Sequence, residues 1–221
     1  MTVPALEAHD LYRFFRTDEE ETLALRGVSI CVDPGEVVAV IGPSGSGKST
    51  LLSCLAGLDE PAGGQVRVAG VRISHRPETE RALIRARGIG VMMQSGNLLD
   101  HLTVLENVRL AQAIGRKPNR PVPLDLVDGV GLSARSNAYP RQLSGGESAR
   151  AGLAVALAND PAVLLADEPT GELDGNTEAV VLEMLTERAK RGQGVLIVTH
   201  SKAVVAVAHR VVELHDGRVL A

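Results

Sequence analysis

The sequence predicts an α/β fold built on a mainly parallel sheet, and three observations predict it. Four short apolar runs, Val37 to Ile41, Ile89 to Met93, Ala162 to Ala166 and Val195 to Thr199, are separated by segments with helical spacing. Near-continuous Val/Ile/Leu runs of this kind are strands buried on both faces, as in a parallel sheet covered by helices. Each run also ends in polar residues: the glycine-rich GPSGSGKST from Gly42, then Gln94, then Asp167 and Glu168, then His200. Ligands bind beyond the carboxyl ends of such strands, so four strand ends converge on one edge. Finally, residues 1–35 and about 64–75 read as an antiparallel sheet, whereas about 94–158 read as a mainly helical insertion. Residues 36–63 and 159–221 complete a catalytic core, and the whole span 1–221 forms one domain.

The first motif fits the phosphate-loop pattern, Gly42-x4-Gly47-Lys48-Ser49. Its glycines let successive backbone N–H groups turn inward on an anion. Lys48 to Gly57 reads as a helix with Leu51, Leu52 and Leu55 on one face, and its N-terminus aims at the phosphates. The run Gly42, Pro43, Ser44, Gly45, Ser46, Gly47, Lys48, Ser49 and Thr50 is therefore the expected cradle for a nucleoside triphosphate. Lys48 reaches the β- and γ-phosphates, and the Ser49 hydroxyl is the expected Mg²⁺ ligand.

The other strand ends supply the remaining chemistry. Asp167 suits the metal shell, and Glu168 suits a general base that orients and deprotonates water. His200 is placed to hydrogen-bond the γ-phosphate, and Gln94 to bind Mg²⁺ and the water together. Singly, a histidine or glutamine at a strand end is an ordinary turn residue; the shared edge argues for function.

In LSGGE, Ser144 and Glu147 stand in the capping-box relation, so a helix starts at Ser144. Gly145 and Gly146 each cost about 1 kcal/mol relative to alanine in its first turn, and they leave N–H groups bare for an anion. Lys48 lies far away in sequence, across a mainly helical stretch, so the sequence alone does not say whose phosphate Ser144 meets. Asp174 to Arg191 reads as an amphipathic helix with Val180, Val181, Met184 and Leu185 inward and Gly192 ending it.

Composition narrows the classes. The chain has 221 residues, 44% of them apolar, no tryptophan and a net charge of −4. Without a basic stripe no nucleic-acid partner is expected; the Arg81, Arg85, Arg87 group and GRKPNR from Gly115 read as solvated faces. Cys31 and Cys54, in a strand and a helix, read as reduced core thiols of a cytosolic protein. No signal peptide is visible, and no apolar run approaches the ~20 residues of a membrane span, so work at a membrane needs a partner that spans it.

The set GPSGSGKST, Gln94, LSGGE, LLADEP, GELD and VTH resembles the nucleotide-binding subunit of an ATP-binding-cassette (ABC) transporter, over essentially the whole chain. The resemblance implies a RecA-like phosphate-loop core and two subunits packed head to tail around two ATP molecules. Each LSGGE helix would present Ser144 and Gly146, with Gly145 and Glu147 beside them, to the ATP held by the other copy. Asp174 of GELD would lie at the dimer interface and couple the two sites. The adenine-stacking aromatic belongs ahead of LRGVSI, where Phe15 matches and Tyr12 and Phe14 stand close by.

GLDEPAGGQV, SGNLLDHLTVLENV, YPRQLSGGE and LLADEPTGELD resemble the branch holding lipoprotein-release, macrolide-export and cell-division ATPases. That implies a separate or fused permease, an export or extraction role, and a peripheral position on the inner face of the cell membrane. Ser95 to Val108, read as exposed and apolar after Gln94, is the expected groove for the permease's cytoplasmic helix; its plain alternative is local core packing. GELD in place of GNLD, Val155 in place of an arginine, and Pro118, Pro121 and Pro123 in a shortened helical segment depart from the pattern. Rival classes are a soluble ABC ATPase, a force-transmitting regulator of a cell-wall enzyme, and a small-molecule kinase or GTPase. The last lacks an NKxD segment and has no use for LSGGE.

Overall fold

A computed structural model of the chain describes residues 2–16 and 21–220. The chain opens with β1 (Leu6–Arg16), β2 (Glu21–Val32) and β3 (Val37–Ile41), followed by α1 (Lys48–Leu55), β4 (Gly63–Val68) and β5 (Val71–Arg72). Next come α2 (Glu78–Gly88), β6 (Ile89–Met92), α3 (Val104–Gly115), α4 (Pro123–Gly129) and α5 (Gly145–Ala156). The chain closes with β7 (Val163–Asp167), α6 (Gly175–Lys190), β8 (Gly194–Val198), α7 (Lys202–Val207), β9 (Arg210–His215) and β10 (Arg218–Val219).

Two sheets result. One is antiparallel, in the order β2-β1-β4-β5; the other has the order β10-β9-β3-β8-β7-β6 and is parallel except at its β10 edge. All four runs read as strands are neighbours in the parallel sheet. Their alternation divides the interior into two cores. Val38, Val40, Leu165, Leu196 and Val198 face α1 and the antiparallel sheet, while Val37, Ala39, Leu164, Val195 and Ile197 face the helices α3 to α6. Leu51, Leu52 and Leu55 of α1 are wholly buried between the two sheets. Truncating any of them to alanine would cost about 2–5 kcal/mol and loosen the loop that α1 follows.

Several readings are corrected by burial. Val181 and Leu185 point inward as expected, but Val180 is 40% exposed, because inward positions of α6 run through Leu182 and Ala189 instead. Ser95 to Val108 is only half exposed: Leu99 faces solvent, whereas Val104, Leu105 and Val108 of α3 are core. The arginine groups are solvated as read, with Arg87, Arg116 and Arg120 exposed and Arg81 and Arg85 half-buried, but their side chains are anchored. Arg81 pairs with Glu60 and Glu78, Arg85 donates to the Gly57 carbonyl at 2.7 Å, and Arg87 donates to the Gly115 carbonyl at 2.8 Å. In GRKPNR, Arg116 closes α3 in the left-handed conformation and Arg120 donates to the Gln112 carbonyl at 3.0 Å, so both cap the helix end. Cys54 is buried but Cys31 is only partly so; both thiols are free.

As read, α3 stops before Pro118; Pro123, not read as a helix start, opens α4 at a position where its missing N–H costs nothing. Among the described residues no helix is long and apolar enough to cross a membrane.

Candidate active site

The phosphate loop bridges β3 and α1 in a conformation its glycines make possible. Gly42 and Gly47 have φ of +153° and +100°, and a Cβ would lie 2.0 Å from the Leu214 carbonyl oxygen at the first and 2.5 Å from that of Ala24 at the second. No side chain fits either place. The Lys48 ammonium donates to the carbonyls of Gly42 and Pro43 at 2.8 and 2.9 Å, which folds it across the loop. The loop is braced from the far end of the chain, where the β9–β10 turn donates from Gly217 N–H to the Ser46 carbonyl at 3.0 Å. That hairpin was absent from the sequence reading, although Asp216-Gly217 between apolar runs is a strong hairpin signal.

Two clefts meet at the loop and share Gly45, Lys48 and Ser49. The smaller, about 360 Å³, is lined by Phe15, Leu23, Ala24, Thr50 and the Asp216-Gly217 turn. Phe15 is 43% exposed there, with the Arg13 guanidinium over its ring at 4.8 Å. Tyr12 and Phe14 do not line this cleft.

The larger, about 690 Å³, brings together Ser44, Gln94, Asp167, Glu168 and His200. Asp167 ends β7 opposite Ser49. Burial pushes its carboxyl above the ordinary range, with Glu168 adding to the effect, while the Ser49 hydroxyl and Lys48 work against it. A hydroxyl and a half-buried carboxylate form an all-oxygen pair of the kind a hard divalent cation takes, so these residues fit Mg²⁺.

Glu168 follows directly, with φ of +44°, a left-handed conformation that non-glycine residues rarely adopt. Its backbone N–H bonds the Val198 carbonyl at 2.9 Å, which fixes the turn. One carboxylate oxygen, Oε2, accepts from the Thr199 hydroxyl at 3.1 Å and from His200 N–H at 3.3 Å. The other, Oε1, is buried with no hydrogen-bond partner among the described residues. His200 Nε2 stands 3.8 Å from it, beyond hydrogen-bond reach, on a side chain 58% exposed. A buried acceptor oxygen facing a cleft is what a base for a bound water requires.

The LSGGE segment is built as read but lies elsewhere. Ser144 caps α5: its Oγ accepts from Glu147 N–H at 3.2 Å, and Ser144 N–H donates to Glu147 Oε2 at 2.8 Å. Gly146 is required by contact, since a Cβ would lie 2.3 Å from the Thr177 methyl. Asp174 caps α6, accepting from the N–H groups of Asn176 and Thr177 and from the Thr177 hydroxyl. Ser144, Gly146, Glu147 and Asp174 line neither nucleotide cleft; Gly145 reaches only a neighbouring cleft beside Gln94 and Glu168. Thus the chain assembles Phe15, the loop, Gln94, Asp167, Glu168 and His200, and leaves the LSGGE residues and Asp174 apart, although Gly171 and Leu173 of GELD line the larger cleft. Thr170, Glu178, Thr199 and Ser201, all beside the larger cleft, had no role in the sequence reading.

Fold and cleft define a phosphate-loop nucleotide-binding protein. The profile described as ABC transporter matches residues 25–171. An ABC transporter ATP-binding protein of Methanocaldococcus jannaschii is 38% identical over 97% of this chain and 97% of its own length. The macrolide export ATP-binding/permease protein MacB of Rhodospirillum rubrum is 42% identical over 98% of this chain, which spans 34% of that longer protein. A solved ATP-binding cassette, in a dimeric post-hydrolysis state bound to ADP and Pi, superposes with a TM-score of 0.89 at 33% identity, covering 98% of this chain and 97% of that one. The chain belongs to the ABC transporter family, as one of its ATP-binding subunits.

Proposed function

We propose that this subunit dimerises head to tail around two ATP molecules, hydrolyses them, and drives a membrane permease in export or extraction from the inner face of the membrane. The observation that carries the reading is the division of the motifs. One chain gathers Phe15, the phosphate loop, Asp167, Glu168 and His200, while Ser144, Gly146 and Asp174 stay outside its clefts. Two bare N–H groups beside a capped serine make an anion site, and a second copy would bring it to the triphosphate. The dimeric relative and the permease-fused export relative support both partnerships. Exposed Leu99, with Met93 just ahead of Gln94, is what the Gln94 to Val108 segment and its flank offer a permease helix.

Within each half-site, Phe15 stacks on adenine and Lys48 with the loop amides binds the β- and γ-phosphates. Glu168 Oε1 accepts the proton of the attacking water, its second oxygen being held by Thr199 and His200. His200 hydrogen-bonds the γ-phosphate, and Gln94 carries its state to the permease face. Mg²⁺, held by Ser49 and Asp167 with Gln94 beside them, would neutralise charge on the β- and γ-phosphates.

The test is Glu168→Gln. It keeps the shape and removes the base, so ATP binding persists, turnover falls by about 10²-fold or more, and the ATP-loaded protein elutes as a dimer in gel filtration. Turnover at the parent rate would remove Glu168 from the mechanism.

A further inference from the structure

Glu178, on the first turn of α6, belongs to none of the motifs, yet it joins three segments of the hydrolytic cleft. Its Oε1 accepts from the Ser201 hydroxyl at 2.7 Å and from the Thr170 hydroxyl at 3.0 Å. Thr170 is buried, 3% exposed, in the turn that follows Glu168. Ser201 follows His200, and its Oγ also caps α7 by accepting from Ala203 N–H at 3.1 Å. Ser201 N–H donates to Thr199 Oγ1 at 2.9 Å, and the Thr199 hydroxyl donates to Glu168 Oε2 at 3.1 Å. A continuous chain of hydrogen bonds therefore runs from Glu178 through Ser201 and Thr199 to the carboxylate of Glu168. The same helical turn bears Asp174, its cap, and Thr177, whose methyl abuts Gly146 of the LSGGE helix.

We infer that Glu178 is a positioning residue for ATP hydrolysis: a single carboxylate oxygen locks the His200 turn and the Thr170 turn to the start of the GELD helix, and so holds Glu168 at its working angle. The inference rests on the hydrolytic role of Glu168 given above. Without Glu178, the buried Thr170 hydroxyl and the Ser201 hydroxyl lose their common acceptor, and each must turn to find another. The turns carrying Glu168 and His200 are then released together. Displacements of about 1 Å at such a group can cost about 10²-fold in rate. The hydrogen bonds of Glu178 go to Thr170 and Ser201 and not to the phosphate loop or Phe15, so ATP affinity should be spared.

The experiment is steady-state ATP hydrolysis by the full chain, with ATP binding and thermal melting measured in parallel, for the parent, Glu178→Ala, Glu178→Gln, Thr170→Ala with Ser201→Ala, and all three alanine substitutions combined. Expected is a kcat about tenfold or more below the parent for Glu178→Ala, with KM for ATP within about threefold. Glu178→Gln, whose amide oxygen can accept both hydroxyls, should recover most of the rate. The paired Thr170 and Ser201 variant should match Glu178→Ala, and the triple variant should fall no further, because all break one network. Should Glu178→Ala melt at assay temperature, the Thr170 and Ser201 pair carries the same comparison. A Glu178→Ala kcat within twofold of the parent, a loss carried by KM alone, or a Glu178→Gln variant as slow as Glu178→Ala overturns the inference while leaving the proposed function standing. A parent that hydrolyses no ATP overturns that function, and this role with it.

Discussion

Phe15 lies on β1 just past a register shift between Arg13 and Phe14 in the pairing with β2, and is one of three aromatics within four residues. Only the cleft distinguishes them. Phe15 lines it under the Arg13 guanidinium, whereas the Tyr12 ring lies against Gly63 and Gly27, away from the phosphate loop. Stacking of a base on an aromatic ring is worth about 1–3 kcal/mol. Phe15→Ala should therefore raise KM for ATP about tenfold, and Phe14→Ala or Tyr12→Ala should leave it within about twofold. An equal rise for Phe14→Ala would move the adenine site along the strand. The sequence placed an aromatic here but could not choose among the three, because bulges in β1 change which side chain faces which way.

At the level of elements, the turn between β2 and β3 is tied to β9 through Glu36. Its carboxylate accepts from Asp33 N–H at 2.9 Å and from Arg210 Nε at 2.8 Å. Burial alone would raise its pKa, but the Arg210 and Asp33 hydrogen bonds outweigh that and hold it below the ordinary 4.5. The stability this contributes is present above that ordinary value and is lost as pH falls through the lower, folded-state pKa. Arg210 is 42% exposed, so solvent screens the pair, and Glu36→Gln should cost about 1 kcal/mol at pH 7. Urea unfolding at pH 7 and pH 3 checks this: the difference from the parent should shrink at the lower pH, and a constant difference would show that the charge contributes nothing. Elements were legible wherever their signals are local. The Ser144 and Glu147 box and the four apolar runs needed only a few neighbouring residues. By contrast, the carbonyls that anchor Arg85 and Arg87, those of Gly57 and Gly115, are 28 residues away in sequence and gave no local signal.

For the whole molecule, a site shared between copies makes a prediction that no single-chain site makes. Lys48→Ala disables one chain's loop, and Gly146→Asp disables the other chain's signature helix. Each homodimer should be inactive. In an equal mixture, about half the dimers are mixed, and each mixed dimer keeps one whole site of two, so ATPase activity should return to about a quarter of the parent value. If mixing restores nothing, each chain completes its own site and the head-to-tail arrangement fails.

The four strands of the parallel sheet, the phosphate loop, the helix caps and membership of the ABC transporter family were determined by the sequence alone, because each depends on residues close together in the chain. Tertiary structure alone decided which aromatic enters the cleft, that the Gly217 turn braces the loop, and that Glu178 reaches Glu168 through Ser201 and Thr199. It also separated Ser144, Gly146 and Asp174 from the chain's own clefts. Those outcomes depend on how distant strands and helices are brought into register, and such contacts leave no periodic trace in the sequence.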